Sequence, residues 1–355
     1  MMLHPIQALR LFSALWVVLY HAAHSPTVAP GNGLWHNFTG LGYLGVDIFF
    51  VISGYIMALN SQQRSPSLRQ SLSFLGLRLA RIYSGWWPVF LLCCALLGSA
   101  ALQGKDLLGS FFLYQLNFNI LVLPVTWTLT FELYFYAVIA LSLLLPQHLR
   151  TPTFWLLALG LLITNSWWVM HERFNIENIG QSHYGMHLFF SPLCLEFLLG
   201  YQLQRLQPQL QRIFPTLALL ACTAMCAAAV YGYAAYFAHK PSGLAGFFHY
   251  PERALLGGSL AGSLLILFLR LGRYLPRRLS LWGGDISYLV YLLHLPCIWL
   301  LARWLPSDNP MHLPALIAGT ISLASLMHYT LERPIYRKCK RRFDTAYNLQ
   351  HFKAL

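Results

Sequence analysis

The sequence predicts an all-α fold: a polytopic integral membrane protein with about ten transmembrane helices and both termini cytoplasmic. Three observations predict it. The 355-residue chain is 57% hydrophobic and only 10% charged, against roughly 25% charged residues in an ordinary soluble domain. Apolar runs recur along its whole length, each long enough to cross a hydrocarbon core of about 30 Å as a helix. Lys and Arg fall in alternate connections rather than evenly, the bias that cytoplasmic loops retain.

The runs are placed at 5–24, 41–60, 83–103, 120–145, 153–169, 188–203, 213–237, 254–271, 284–304 and 314–331. The first lacks a basic leader and other spans follow it directly, so it reads as a span and not as a signal peptide. With the N-terminus inside, the cytoplasmic connections hold Arg64, Arg69, Arg78 and Arg81, then Arg150, then Arg205 and Arg212, then Arg270, Arg273, Arg277 and Arg278. The tail adds Arg333, Arg337, Lys338, Lys340, Arg341, Arg342 and Lys353, whereas Lys105, Arg173, Lys240, Arg253 and Arg303 fall outside. The chain therefore divides into a transmembrane domain, 1–335, and a basic cytoplasmic tail, 336–355. No soluble domain of any size fits between the spans.

The net charge of +13 follows from this topology signal and from contact with anionic lipid headgroups. It is spread over short loops with no recognition motif, which argues against nucleic acid as a partner. The seven cysteines lie mostly within spans and without metal-ligand spacing. Neither a metal site nor a disulfide framework is expected. No clear internal repeat of the kind found in many secondary transporters stands out.

Ionisable side chains inside a membrane are costly and usually face a cavity or a partner, so they are the first functional candidates. In the first span, residues 8–22 read ALRLFSALWVVLYHA. Arg10 and His21 are eleven residues apart, and eleven steps of about 100° bring a helix back to within roughly 20° of its starting direction. They share one face, about 16 Å apart along the axis. That geometry suits one side chain binding a charged or carbonyl group while the other transfers a proton. It equally suits an arginine reaching cytoplasmic headgroups and a histidine at the outer interface.

The second span, residues 42–57, reads GYLGVDIFFVISGYIM and holds a lone Asp47, fit to fix a histidine tautomer, pair an arginine or pack a helix among small glycines. Ahead of the third span, residues 78–88 read RLARIYSGWWP. Arg78 and Arg81, three apart at a helix start, lie on one face at the cytoplasmic surface, as two phosphate-gripping forks or as topology anchors. In the fourth span, residues 127–137 read WTLTFELYFYA and place Glu132 near mid-membrane among aromatics, as a hydrogen-bonding tether between helices or a proton-transfer partner. The sixth span carries Glu196. The ninth opens GDISYLVYLLHLP at residues 284–296, where Ser287, Tyr291 and His294 follow helical spacing and form one polar stripe.

Taken together and in this order, these segments, with LEFLLG at 195–200 and the closing LERPIYR at 331–337, resemble the membrane-bound acyltransferases of the acyltransferase-3 type, which O-acylate glycans and other hydroxylated substrates. The family's Arg or Lys with ten residues before a His falls on Arg10 and His21, and its Glu followed by an aromatic pair on Glu132, Phe135 and Tyr136. Its Arg-x-x-Arg falls on Arg78 and Arg81, and its Ser-Tyr with a following His on Ser287, Tyr288 and His294. Ser84 departs from the pattern, since such proteins often have proline directly after the tyrosine, and Pro88 is expected to shift the helix start.

The resemblance implies a multi-pass protein of the bacterial inner membrane that uses cytoplasmic acyl-CoA, acetyl-CoA first, as co-substrate and acylates a carbohydrate that is often lipid-linked or periplasmic. His21 is then expected as general base, with Arg10 orienting the donor or stabilising the oxyanion and Glu132 holding His21 or relaying its proton. Arg78 and Arg81 are expected to bind the phosphates of coenzyme A, with Asp47, Ser287, Tyr288, Tyr291 and His294 lining the cavity. Some relatives carry a fused SGNH-type hydrolase domain; here the chain ends shortly after its last span, so transfer is expected to be direct or through a separate partner. The alternative is a transporter or flippase for a polyprenyl-linked sugar or small metabolite, using the same intramembrane charges as a substrate path.

Overall fold

In a bilayer every backbone N–H and C=O must find a partner within the protein, so apolar runs become helices that close their own hydrogen bonds. The computed structural model describes residues 4–25, 33–62, 64–170, 188–210, 212, 215–237, 251–304 and 311–346. Its regular elements are helices: α1 (His4–Ala23), α2 (Gly33–Gly40), α3 (Gly45–Gln62), α4 (Leu68–Leu102), α5 (Leu107–Phe112), α6 (Trp127–Ser142), α7 (Gln147–Met170), α8 (Leu193–Arg205), α9 (Pro215–Phe237), α10 (Pro251–Leu271), α11 (Arg277–Trp304), α12 (His312–Met327) and α13 (Arg333–Ala346). A short π-helical turn, His328–Glu332, joins α12 to α13.

Among the described residues, 8 helical stretches are long and apolar enough to cross a membrane. The two other expected spans coincide with α7 and with α8, which has 13 residues and so rises only about 20 Å. The bundle is organised around α1, which packs on α11, α3 and α10, while α8 packs on α3, α10 and α7.

The close approach of α3 and α8 is made by two glycines. A methyl group on Gly54 would lie 1.9 Å from the Phe197 carbonyl oxygen, and one on Gly200 would lie 1.9 Å from that of Val51. Each helix thus sets its backbone against the other's missing side chain, the small-residue contact typical of membrane helices.

Three elements differ from the sequence expectation. Helix α4 starts at Leu68, where Ser67 accepts from the Gln70 amide, and not near 83. Pro88 lies inside it. Arg78 and Arg81 are therefore ten and thirteen residues into the helix, about 15–20 Å from its start, and not at the surface. Helix α6 begins at Trp127, because residues ahead of it fold separately. There Trp86 Nε1 donates to the Ser110 carbonyl at 3.0 Å, the Ser110 hydroxyl accepts from the Val122 amide at 3.0 Å, and Leu121, Val122 and Leu123 are buried. Such irregular backbone is tolerated at membrane depth because protein encloses it. Residues 336–346 of the expected tail continue as α13, whose Phe343 ring lies against Gly76 of α4; residues 347–355 lie outside the described residues.

The arginine-rich connections meet at one end of the bundle. The Arg150 guanidinium donates to the carbonyls of Ser61, Arg64, Leu145 and Leu143 at 2.9, 3.0, 3.1 and 3.4 Å, satisfying orphan carbonyls at the ends of α3 and α6. Arg205 donates to the Thr151 hydroxyl at 3.1 Å, Arg270 to the Leu210 carbonyl, and the His4 ring to the Gly272 carbonyl at 2.6 Å. These bonds gather the start of α1, the ends of α3, α6, α8 and α10, and the start of α7. That is the face that charge assigns to the cytoplasm.

Gly200→Ala would force the α3 and α8 backbones apart, and overpacking of this kind costs about 1–3 kcal/mol. The expected outcome is a lower midpoint of thermal unfolding for the detergent-purified variant, read by fluorescence-detected size exclusion.

Candidate functional site

Helix α1 carries the first two candidates on one face, as its periodicity requires. Toward its start, Arg10 donates to Gln7 Oε1 at 3.0 Å and reaches into a cavity of about 870 Å³. The cavity lies where α1, α3, α4, α6 and α11 meet. Arg10, Arg78 and Arg81 bring positive charge to its wall, Glu132 negative charge, and Tyr136, Tyr288 and Tyr291 their rings. Apolar side chains of α3 and α6 close the remainder.

Each charged group in the wall is held by a neighbour. Glu132 Oε1 accepts from the Tyr136 hydroxyl at 2.5 Å and from the Ser53 hydroxyl at 3.1 Å, tying α6 to α3. The Arg78 guanidinium lies over the rings of Phe74 and Tyr136, 5.5 and 5.9 Å from their centroids. Arg81 donates to Glu332 Oε1 at 2.5 Å and lies between the rings of Tyr288 and Tyr336, 6.0 and 5.9 Å from their centroids. Cation–π contact suits guanidinium well, since the planar group is weakly hydrated and stacks on ring faces.

Further along α1, His21 meets His294 of α11. His21 Nδ1 is 3.1 Å from the Val17 carbonyl oxygen and 3.3 Å from His294 Nε2, while His294 Nδ1 is 2.6 Å from the Tyr291 carbonyl oxygen. Carbonyls only accept, so His294 donates from Nδ1 and presents a lone pair at Nε2. His21 then donates from Nδ1, shared between Val17 and His294, and its Nε2 is left with the lone pair. The pair fixes one tautomer of His21 with the basic nitrogen pointing away from the donor chain.

Tyr291 connects the two regions. Its hydroxyl donates to the Val125 carbonyl at 3.0 Å and lies 3.0 Å from the Thr128 hydroxyl. Its ring packs against Phe49 and His294, with centroids 5.8 and 5.9 Å apart. The cavity lining ends at Tyr291, and the histidine pair lies behind that ring: His294, expected to line the cavity, packs against Tyr291 instead.

Several sequence expectations are corrected by this geometry. Glu132 does not hold His21; its partners are Ser53 and Tyr136, and the groups that orient His21 are the Val17 carbonyl and His294. Asp47 is fully buried but does not line the cavity: the cavity face of α3 runs through Val46, Phe49, Phe50, Ser53 and Ile56, and Asp47 points instead at Gly257 of α10. Glu196 of α8 packs against the next residue of α10, Gly258. Ser287 donates to the Gly284 carbonyl of its own helix at 2.8 Å and leaves the wall to Tyr288 and Tyr291. Arg81, expected beside Arg78 as a phosphate fork, is engaged by a carboxylate the sequence reading did not single out. Glu332 stands in the LERPIYR segment, and its acid beside Arg333 and Arg337 was the available signal.

The family model described as "Acyltransferase domain" matches residues 4–329. A relative named "Exopolysaccharide production protein ExoZ", from Rhizobium meliloti (strain 1021), is 31% identical over 351 residues, covering 93% of this chain and 98% of that one. No solved structure matches the chain. The family match runs from the first helix, which carries Arg10 and His21, to the start of the π turn His328–Glu332, and on it the chain belongs to the acyltransferase family of multi-pass membrane proteins.

Proposed function

We propose that this protein moves an acyl group, acetyl first, from acyl-CoA to a hydroxyl of an exopolysaccharide or a related cell-surface or lipid-linked carbohydrate, in the bacterial inner membrane. The observation that carries the reading is the arginine-lined cavity whose Tyr291 packs against His294 of the His21–His294 pair. The name of the relative supports a polysaccharide acceptor, and the acyltransferase family supports the reaction class.

In the proposed reaction the phosphates of the donor lie toward Arg78 and Arg81, and the thioester arm extends along the α1 face. Arg10 orients the donor from the same face. His21 Nε2 takes the proton of the acceptor hydroxyl as its oxygen attacks the thioester carbonyl carbon; the new C–O bond forms, the C–S bond breaks, and the proton passes from the imidazolium to the leaving thiolate. The products are an ester and free coenzyme A. His294, accepting from His21 Nδ1–H, holds the ring through both proton transfers and spreads the charge of the imidazolium. About 16 Å of helix separates the Arg10 level from the His21 level, a distance comparable with an extended pantetheine arm. This arrangement lets a cytoplasmic donor meet an acceptor from the outer side without a soluble carrier.

His21→Ala is expected to remove O-acyl groups from surface polysaccharide, a loss of at least about 100-fold in transfer, with normal membrane insertion. Proton NMR of polysaccharide from cells lacking the chain, complemented with wild type or the variant, measures it; acyl signals fully restored by His21→Ala would overturn the mechanism. Arg10→Lys should keep part of the activity, since charge remains without the fork. His294→Phe keeps ring volume but removes one of the two acceptors for His21 Nδ1–H, leaving the Val17 carbonyl. Its kcat should fall by roughly 10-fold or more with the donor KM little changed, as expected for loss of an orienting group, measured by release of free thiol from acetyl-CoA.

A further inference from the structure

We infer that Glu332 is the positioning residue that sets Arg81 for the donor's phosphates. The inference rests on the reading of the cavity as the acyl-CoA site. Glu332 is fully buried, and both its oxygens are engaged: Oε1 by Arg81 at 2.5 Å and Oε2 by His328 Nδ1 at 2.8 Å. His328 is itself buried, four residues earlier in the chain. The carboxylate is therefore fixed by a partner on its own element and has one oxygen to offer α4.

Local structure is arranged around this contact. Glu332 ends a π-helical turn, His328–Glu332, set between α12 and α13, and such turns re-aim side chains relative to a continuous α-helix. On the α4 side, Gly85 makes room: a methyl group there would lie 2.5 Å from Tyr288 Cε1 and 3.5 Å from Glu332 Cγ. Tyr288 donates to the Ile82 carbonyl at 2.9 Å, which fixes the ring over which the Arg81 guanidinium lies. Arg81 is thus held by a carboxylate and lies over the rings of Tyr288 and Tyr336.

The charge balance shows why the carboxylate is needed. Arg10, Arg78 and Arg81 line one cavity, and Arg10 and Arg81 are near enough to act on each other electrostatically. Without Glu332, Arg81 would be driven from its neighbours and its long side chain would sample many rotamers. With it, one guanidinium edge is spent on orientation and the cavity keeps a surplus of positive charge over Glu132 and Glu332. An anion of several charges, such as a nucleotide phosphate, then meets a pre-set fork and does not have to order it.

The test uses the full chain purified in nanodiscs and titrated with coenzyme A, in wild type, Arg81→Ala, Glu332→Gln and Glu332→Asp, with thermal unfolding followed for each. The expected result is at least 10-fold weaker binding for Arg81→Ala and for Glu332→Gln, with Glu332→Asp recovering part of the loss. In turnover with acetyl-CoA, Glu332→Gln should raise the donor KM and leave kcat near wild type, which a merely structural loss would not do. If Arg81→Ala weakens binding while Glu332→Gln binds within 2-fold of wild type, or more tightly, the positioning role fails. If Arg81→Ala itself binds within 2-fold of wild type, the donor-site reading beneath it fails.

Discussion

Three guanidiniums share one cavity inside a helical membrane bundle, and much of the architecture is the means of keeping them there. A charged side chain at membrane depth must face a cavity or a partner. Arg10, Arg78 and Arg81 have both: they line the same cavity, and each is met by a polar or aromatic group. Gln7 serves Arg10, the rings of Phe74 and Tyr136 serve Arg78, and Glu332 with Tyr288 and Tyr336 serve Arg81. These partners come from α1, α4, α6, α11, the π turn and α13, so solvating the arginines draws distant parts of the chain around one point. Glu132 belongs to the same scheme: by accepting from Ser53 and Tyr136 it binds α3 to α6 and sets the ring on which Arg78 lies.

What could be read from the sequence was what one rigid helix determines alone. The shared face of Arg10 and His21 follows from eleven steps of helical rotation, and α1 is a single unbroken helix over both. The stripe from Tyr291 to His294 follows for the same reason, and so does the gathering of arginine-rich ends on one face, since each span reverses the chain. What escaped depended on several segments at once. The first three turns of α4 are polar enough to lower the average hydropathy, yet they continue the helix because Arg78 and Arg81 turn inward to the cavity. The segment ahead of Trp127 is apolar enough to pass for the start of a span; its hydrogen bonds to Trp86 and Ser110 fold it otherwise. Glu332 was hidden because a π turn breaks the 3.6-residue register that a sequence reader must assume. Asp47 was misplaced by less: position 47 lies just off the cavity face of α3 and meets α10 instead.

Charge is distributed unevenly between the cavity and the histidine pair behind Tyr291, and this asymmetry bears on the proposed mechanism. At the arginine level each ionic group has a compensating partner, so fixed charges can persist there. At the His21 level the orienting group is a second imidazole, fully buried, and the hydrogen-bond chain from the Tyr291 carbonyl through His294 to His21 is satisfied with both rings neutral. A carboxylate in the place of His294 would hold His21 more strongly, but it would install a permanent buried charge whose burial is costly whenever His21 is neutral. The neutral pair avoids that cost at rest. In the proposed reaction it becomes charged only while a proton is in transit, and the charge is then shared along the chain of hydrogen bonds. On the proposed reading, an anionic donor is drawn to the arginine-lined cavity and a neutral hydroxyl meets the neutral histidine pair, which is the polarity that acyl transfer between a nucleotide thioester and a sugar requires.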